Sequence, residues 1–202
     1  MPDAVSTHEQ LIAAAVEAAA THGIARLSMS DVARVAGVSR QTLYKHFPSK
    51  DALVTEAVLS QAQEITAEVV LATTEFDDPQ AAIEAGVSTI LRVTAEHPLL
   101  HRLIRTEPES LLPLLITGDS PIVHLVRGVV EDVVRRDHPE LDDVTASVLG
   151  DMGSRLLVSY AVNPPVQPAD VVASILAHVL AGAAALASAP SPADPVLTEE
   201  PS

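Results

Sequence analysis

Residues 28–53 read SMSDVARVAGVSRQTLYKHFPSKDAL, and their pattern predicts two short helices joined by a tight turn. Ser28, followed three residues later by Asp31, is a capping-box-like helix start, and an acid in the first turn suits the helix dipole. Val32, Ala33, Val35 and Ala36 are expected to form a short buried face. Gly37 falls where a left-handed residue ends a helix without a Cβ clash. Ser39 then caps a second helix that runs to about Phe47 and stops before Pro48. Leu43 and Phe47, four apart, share its inner face. Arg40, Gln41, Thr42, Tyr44, Lys45 and His46 are left pointing outward or sideways.

Those outward residues suit a nucleic-acid duplex. Arg40 and Gln41 lie in the first turn of the second helix, the part of a helix-turn-helix that reaches base edges in the major groove. Arginine pairs bidentately with guanine and glutamine with adenine. Thr42, Tyr44, Lys45 and His46 are placed for phosphate oxygens, which position a protein without reading sequence. Ser49 and Lys50 open a further helix, whose amino end is also able to meet a phosphate.

This segment resembles the amino-terminal signature of the tetracycline-repressor (TetR) family. The matching residues are the hydroxylated helix start Ser28, the turn Ala36-Gly37-Val38-Ser39, the helix Thr42-Leu43-Tyr44-Lys45-His46-Phe47 and the start Ser49-Lys50-Asp51-Ala52-Leu53. The resemblance covers roughly the first quarter of the chain; beyond it only helix number and length are similar. It implies an all-α protein with an N-terminal three-helix DNA-binding domain and a C-terminal helical domain for ligand binding and dimerisation. The DNA-contact set it implies is Ser28, Ser39, Arg40, Gln41, Thr42, Tyr44, Lys45, His46 and Lys50.

The net charge of −15 over 202 residues conflicts with DNA binding until its distribution is considered. Residues 1–50 carry five basic and four acidic groups, net +1, and residues 51–202 carry seven basic and 23 acidic groups, net −16. Both lysines are in the first part, at positions 45 and 50. Positive charge is local to the expected DNA face, and the acidic remainder is repelled by phosphate, which favours docking in one orientation. Modest non-specific affinity and strong salt dependence follow. With no cysteine, the chain has neither disulfide nor thiolate metal site. No signal segment opens it and no apolar run reads as long enough to span a bilayer, so a cytoplasmic protein is expected.

The remaining pattern is helical. A first helix spans about Thr7 to Thr21, with Thr7 and Gln10 as a candidate capping box and Gly23 as its stop. A long helix from Ser49 to about Thr74 bridges the two domains, and Asp78-Pro79 starts another that ends near His97-Pro98. Leu99–Thr117 reads as a short, proline-broken stretch. Helices follow from Ser120-Pro121 to about Arg136, from Asp142 to about Ala161, and from Pro168/Ala169 to about Ala187. The expected organisation is a helix-turn-helix domain over 1–50, a ligand-binding and dimerisation domain over 51–187, and a disordered Pro/Ser/acid-rich tail over 188–202.

Small residues recur on the last two helices: Ser147, Gly150, Gly153 and Ser154 on one, Ala173, Ala177, Ala181 and Gly182 on the other. With Val148, Met152, Leu156, Ile175, Val179 and Leu186 they suggest a four-helix bundle between two chains, the alternative being packing inside one subunit. A homodimer suits a palindromic operator with half-sites about 34–36 Å apart, or multiples of it. The body is aliphatic and poor in rings, so a cavity between its helices favours an apolar, flexible effector. Candidate lining residues are Leu91, Leu103, Ile104, Leu111, Leu115, Val126, Val130, Met152 and Leu156, with irregular backbone at Pro98, Pro108 and Pro113. Arg127, Arg155, His101 or Glu107 are candidate anchors for a polar head. Residues 96–117, EHPLLHRLIRTEPESLLPLLIT, resemble a stretch in actinobacterial TetR-type proteins that respond to fatty-acyl molecules.

His97 and His101 have the spacing of two metal ligands on one helix face, but Pro98 disfavours helical geometry at His97. No phosphate loop or nucleophile elbow is present, so neither metal, cofactor nor catalysis is expected. The reading is a repressor released from DNA by a small effector. The alternatives are a hydrophobic-ligand carrier or sensor that does not touch DNA, and an activator on the same scaffold.

Overall fold

The computed structural model describes residues 6–117 and 120–188, so the expected tail lies, beyond Ser188, outside the described residues. They form ten helices: α1 (Thr7–His22), α2 (Met29–Val35), α3 (Arg40–His46), α4 (Lys50–Thr73), α5 (Pro79–Glu96), α6 (Pro98–Thr106), α7 (Pro108–Ile116), α8 (Pro121–Asp137), α9 (Asp143–Val162) and α10 (Ala169–Ser188). No strand occurs among the described residues.

Most helix starts are built by an oxygen-bearing side chain that accepts one of the unpaired first-turn amides. Ser28, Ser39, Ser49, Asp78, Ser120 and Asp142 all do this. At α1 the reciprocal capping box is Ser6 with Glu9, one residue earlier than the expected Thr7–Gln10 pair. At α2, Ser28 accepts the Ser30 amide at 3.2 Å, while Asp31 turns to Arg34 at 3.4 Å, so no capping box closes there. Gly37 has φ +69° and ends α2, as its lack of a Cβ allows. Val35 is exposed rather than buried. At about 100° per residue it lies roughly 110° from the centre of the arc that Val32 and Ala33 turn inward.

The proline-broken stretch is instead two short helices, and proline initiates them. Pro98 and Pro108 occupy first-turn positions of α6 and α7, where a missing amide costs nothing. Pro113 sits within α7 and removes one backbone bond.

The helices α1, α2 and α3 pack with the first turns of α4 around Leu11, Ala15, Val32, Leu43, Phe47 and Leu53. Each buried leucine in such a core contributes roughly 1.5–3 kcal/mol. The same cluster runs on through Leu99, Leu103 and Leu111 to Ile122 and Val126, so α6 and α7 join the head to the body. A second cluster gathers Val69, Val87, Ile90 and Leu91 with Val172, Ala173 and Leu176 of α10.

The small residues of α9 and α10 differ from expectation. Gly150 and Gly153 are buried where α8 crosses: a Cβ at Gly150 would lie 3.0 Å from Glu131 Cβ, and one at Gly153 would lie 2.9 Å from a Val130 methyl. Ser154, Ala173 and Ala177 are also buried within the protomer. These five therefore close the subunit's own core, whereas Ser147 and Ala181 are half-buried and Gly182 is exposed with open space beside it. The helix α10 also corrects the expectation about apolar runs: Ala169–Ala187 is long and apolar enough to cross a bilayer by length and composition, with mean hydropathy 1.8.

Candidate nucleic-acid interface and effector cavities

The helix α3 is anchored from below and built from its own first turn. Leu43 and Phe47 are buried, and the His8 ring stacks on Phe47 with centroids 4.8 Å apart. Ser39 Oγ accepts the Thr42 amide at 3.0 Å and lies 2.9 Å from Thr42 Oγ1, so these two hydroxyls hold the helix start. Arg40, Gln41, Tyr44 and Lys45 are exposed, Tyr44 by 52%. At about 100° per residue they fall within an arc of roughly 140°, a convex face of the width that enters a major groove. His46 is exposed on the flank, with its ring 5.9 Å from that of His8. Ser28 is half-buried at the start of α2. Lys50 does not reach outward freely: its Nζ donates to the Ala25 carbonyl at 3.0 Å.

Ala25 is held from both sides. Its amide donates to Glu107 Oε2 at 2.8 Å across 82 residues of chain. Glu107, at the junction of α6 and α7, is 8% exposed. It packs so closely on Gly23, whose φ is +87°, that an added Cβ would overlap its carboxylate. Glu107 thus faces the head and is not available to hold an effector's polar end.

Two apolar cavities of about 80 Å³ each lie in the body. The first is bounded by Val69, Val87, Val130 and Leu149, with Asp137 and His138 at one end. The second is bounded by Ile65, Thr94, His97, Leu103, Leu111 and Leu115. Thr66, Ile90 and Val126 belong to the walls of both. Of the residues expected from sequence, Leu103, Leu111, Leu115, Val126 and Val130 line these spaces. Leu91 is buried in the cluster that includes α10 and Ile104 packs on the cluster that joins head and body, and neither lines these two cavities. Arg127 is half-buried and lines neither cavity. Arg155 is exposed, is bound to Asp151 at 2.7 and 3.1 Å, and with Leu115, Ser154 and Val158 lines a third cavity of about 330 Å³. Met152 and Leu156 face outward, and His101 is exposed.

The α4 wall was not foreseen in the sequence. Val58, Ala62, Ile65, Thr66, Val69 and Thr73 line the two cavities at helical spacing. The signal was present, because the apolar face of this helix continues well past the head it helps to build. His97 is not helical: it caps α6, with Nδ1 accepting the Leu100 amide at 3.3 Å and Nε2 3.0 Å from Gln61 Oε1. Burial pushes its pKa below the usual imidazole value, and the Glu64 charge opposes that shift. Among the described residues no group of three or more His, Asp or Glu gathers as metal ligands.

The outer side of α9 and α10 carries a stripe of exposed aliphatic residues. Val144, Val148, Met152 and Leu156 recur at intervals of four on α9, and Val171, Ile175 and Val179 do so on α10.

The comparisons with known proteins agree with this architecture. Residues 11–57 match the family model of bacterial regulatory proteins of the tetR family, and residues 78–181 match that of the bacterial tetracyclin repressor C-terminal domain. The chain is 27% identical over 161 residues to the HTH-type transcriptional regulator AlkX of Mycobacterium tuberculosis, covering 74% of this chain and 72% of that protein. It is 26% identical over 182 residues to the HTH-type transcriptional regulator EthR of Mycolicibacterium smegmatis, covering 84% and 82% respectively. The crystal structure of the TetR family repressor AlkX from a Dietzia species, described as implicated in biodegradation of n-alkanes, superposes with a TM-score of 0.72. That superposition covers 91% of this chain and 98% of the other at 24% identity. With a helix-turn-helix at one end, a helical body at the other and family matches over both, this chain belongs to the TetR family of transcriptional regulators.

Proposed function

We propose that the chain is a cytoplasmic repressor that binds a palindromic operator as a homodimer and is released by a small aliphatic effector with a fatty-acyl-like chain. The observation that carries the DNA half is the exposed arc Arg40, Gln41, Tyr44 and Lys45 on a helix pinned by buried Leu43 and Phe47. Arg40 and Gln41 reach base edges; Lys45, Tyr44 and His46 meet phosphates, and Ser28, Ser39, Thr42 and Lys50 fix the frame that presents them. The exposed stripe on α9 and α10 supplies the dimer contact, with Met152 and Leu156 in it rather than around the effector. A lumen walled mainly by Val, Leu and Ile takes an alkyl chain and has no Phe, Tyr or Trp ring to stack on a flat molecule. The link of a relative to n-alkane degradation fits the same chemistry.

Ligand in the body moves α4, α6 and α7, and the Glu107–Ala25 contact passes that movement to the head. An effector acts only through its different affinity for the two states; about 5.5 kcal/mol converts nearly all bound to nearly all released. The test is an electrophoretic mobility shift with the DNA upstream of the chain's own gene, titrated with alkyl compounds. Retarded DNA that is freed by alkyl chains supports the reading. Absence of any shift at low salt overturns it and favours the carrier or sensor. Lower reporter expression in a strain lacking the protein overturns repression in favour of activation.

A further inference from the structure

We propose that the cavity between α4, α5 and α8 takes an aliphatic alcohol, its chain along Val69, Val87 and Val130 and its hydroxyl donating to Nε2 of His138. This rests on the reading of the body as an aliphatic effector site and specifies the head group. His138 follows α8 directly, and its amide donates to the Val134 carbonyl at 2.8 Å, which fixes the residue at one end of the cavity. Its Nδ1 lies 3.2 Å from Glu140 Oε1. A carboxylate only accepts, so Nδ1 carries the proton, and in the neutral ring Nε2 is left as a bare acceptor. That Nε2 is buried and has no hydrogen-bond partner. A buried polar atom in this state is costly and calls for a donor.

The other polar groups on this wall are already satisfied. Thr66 Oγ1 donates to the Ala62 and Gln63 carbonyls at 2.9 and 3.0 Å, and Thr73 Oγ1 to Val70 at 2.8 Å. Asp137 holds Arg136 through two contacts of 2.6 and 3.0 Å. His138 Nε2 is therefore the unsatisfied polar atom among the described residues of this wall, in an otherwise apolar space. An alkane would leave it unpaired. A carboxylate would bring lone pairs to a lone pair, beside the Asp137 carboxylate. A hydroxyl brings the one hydrogen required. The volume of about 80 Å³ is about half of the ~150 Å³ that houses a benzene ring, so it suits a thin chain. A longer chain continues past the shared wall of Thr66, Ile90 and Val126 into the second cavity.

The experiment is isothermal titration of the full chain at pH 8 with 1-hexanol and with hexanoate, in the native protein and in His138→Phe. Hexanol is expected to bind at least tenfold more tightly than hexanoate, and His138→Phe to weaken hexanol by about tenfold while leaving hexanoate unchanged. Equal affinity for the two compounds, or hexanol binding indifferent to the substitution, overturns the assignment. If His138→Phe does not fold, the imidazole nitrogen resonances of the native protein decide instead. The Nε2 signal shifts as hexanol is added if the proposal holds, and stays fixed if it does not. Operator binding measured in parallel separates the two claims. A protein that retards operator DNA and ignores hexanol overturns the head group alone; one that binds hexanol and ignores DNA overturns the repressor reading alone.

Discussion

Glu107 Oε2 accepts the amide of Ala25 at 2.8 Å, which ties the loop between α1 and α2 to the junction of α6 and α7. Removing the carboxylate in Glu107→Ala leaves that amide without its partner and lowers stability by about 1–3 kcal/mol. Gly23→Ala costs more, since it combines a left-handed φ of +87° with overlap on Glu107. The double variant relieves the overlap, so its loss is smaller than the two single losses together. Urea unfolding of the three proteins checks this; strict additivity would show that Gly23 and Glu107 do not press on each other.

In the proposed reading the exposed side chains of α3 divide between reading and holding. Arg40→Ala is expected to lose about 1–3 kcal/mol of discrimination at one base pair of each half-site. Lys45→Ala weakens all sequences alike and lowers the salt slope of binding by about one. Fluorescence anisotropy on operator and mutated operator, across a salt series, separates them. Equal loss of preference in both variants would contradict the division.

The outer stripe of α9 and α10 makes a clean test, because its residues are exposed in the protomer: Met152 by 53% and Ile175 by 59%. In the proposed dimer, Met152→Arg with Ile175→Arg places like charges against one another across the twofold axis and leaves each protomer folded. Analytical ultracentrifugation is expected to show monomers with an unchanged far-ultraviolet dichroism spectrum, and operator affinity is expected to fall. A dimer that persists would place the interface elsewhere.

Val126 belongs to the walls of both cavities. Val126→Phe fills their common boundary at a cost of about 1–3 kcal/mol from overpacking. DNA binding is expected to survive while release by alkyl compounds is lost, as read in the mobility shift.

Acid sensitivity follows from His97. Burial lowers its pKa in the folded protein below the ordinary imidazole value. Between that lowered value and about 6.5, the unfolded chain binds more protons than the folded one, so stability rises with pH through this window. The contribution is complete above about 6.5 and is lost on acidification toward the folded value. His97→Asn still caps a helix but does not titrate. Its urea midpoint is expected to fall less than that of the native chain between pH 7 and pH 5. Parallel declines would assign the acid sensitivity to other groups.

What the sequence made legible is what lies within four residues of itself. Ser39, Leu43 and Phe47 have their roles written in i to i+3 and i+4 relations, and so do the prolines that begin α5 and α8. Partners far along the chain are not written that way. Glu107 reads as a possible ligand anchor until folding brings it to Ala25, 82 residues away. Gly150 and Gly153 announce a close approach, but spacing alone does not say whether α8 or a second chain does the approaching. Lys50 offers the same lesson: a cation beside a reading helix looks like a phosphate contact, and its ammonium is held by a backbone carbonyl.

The unbroken α4 has a mechanical consequence. Its 24 residues make a lever about 36 Å long. One end abuts the reading helix and the far half flanks the cavities. A pivot of about ten degrees at the far end swings the near end by roughly 6 Å on that length, close to two base-pair steps of 3.4 Å. In the proposed dimer, a filling molecule need displace its immediate neighbours only slightly to put the two heads out of register with their grooves.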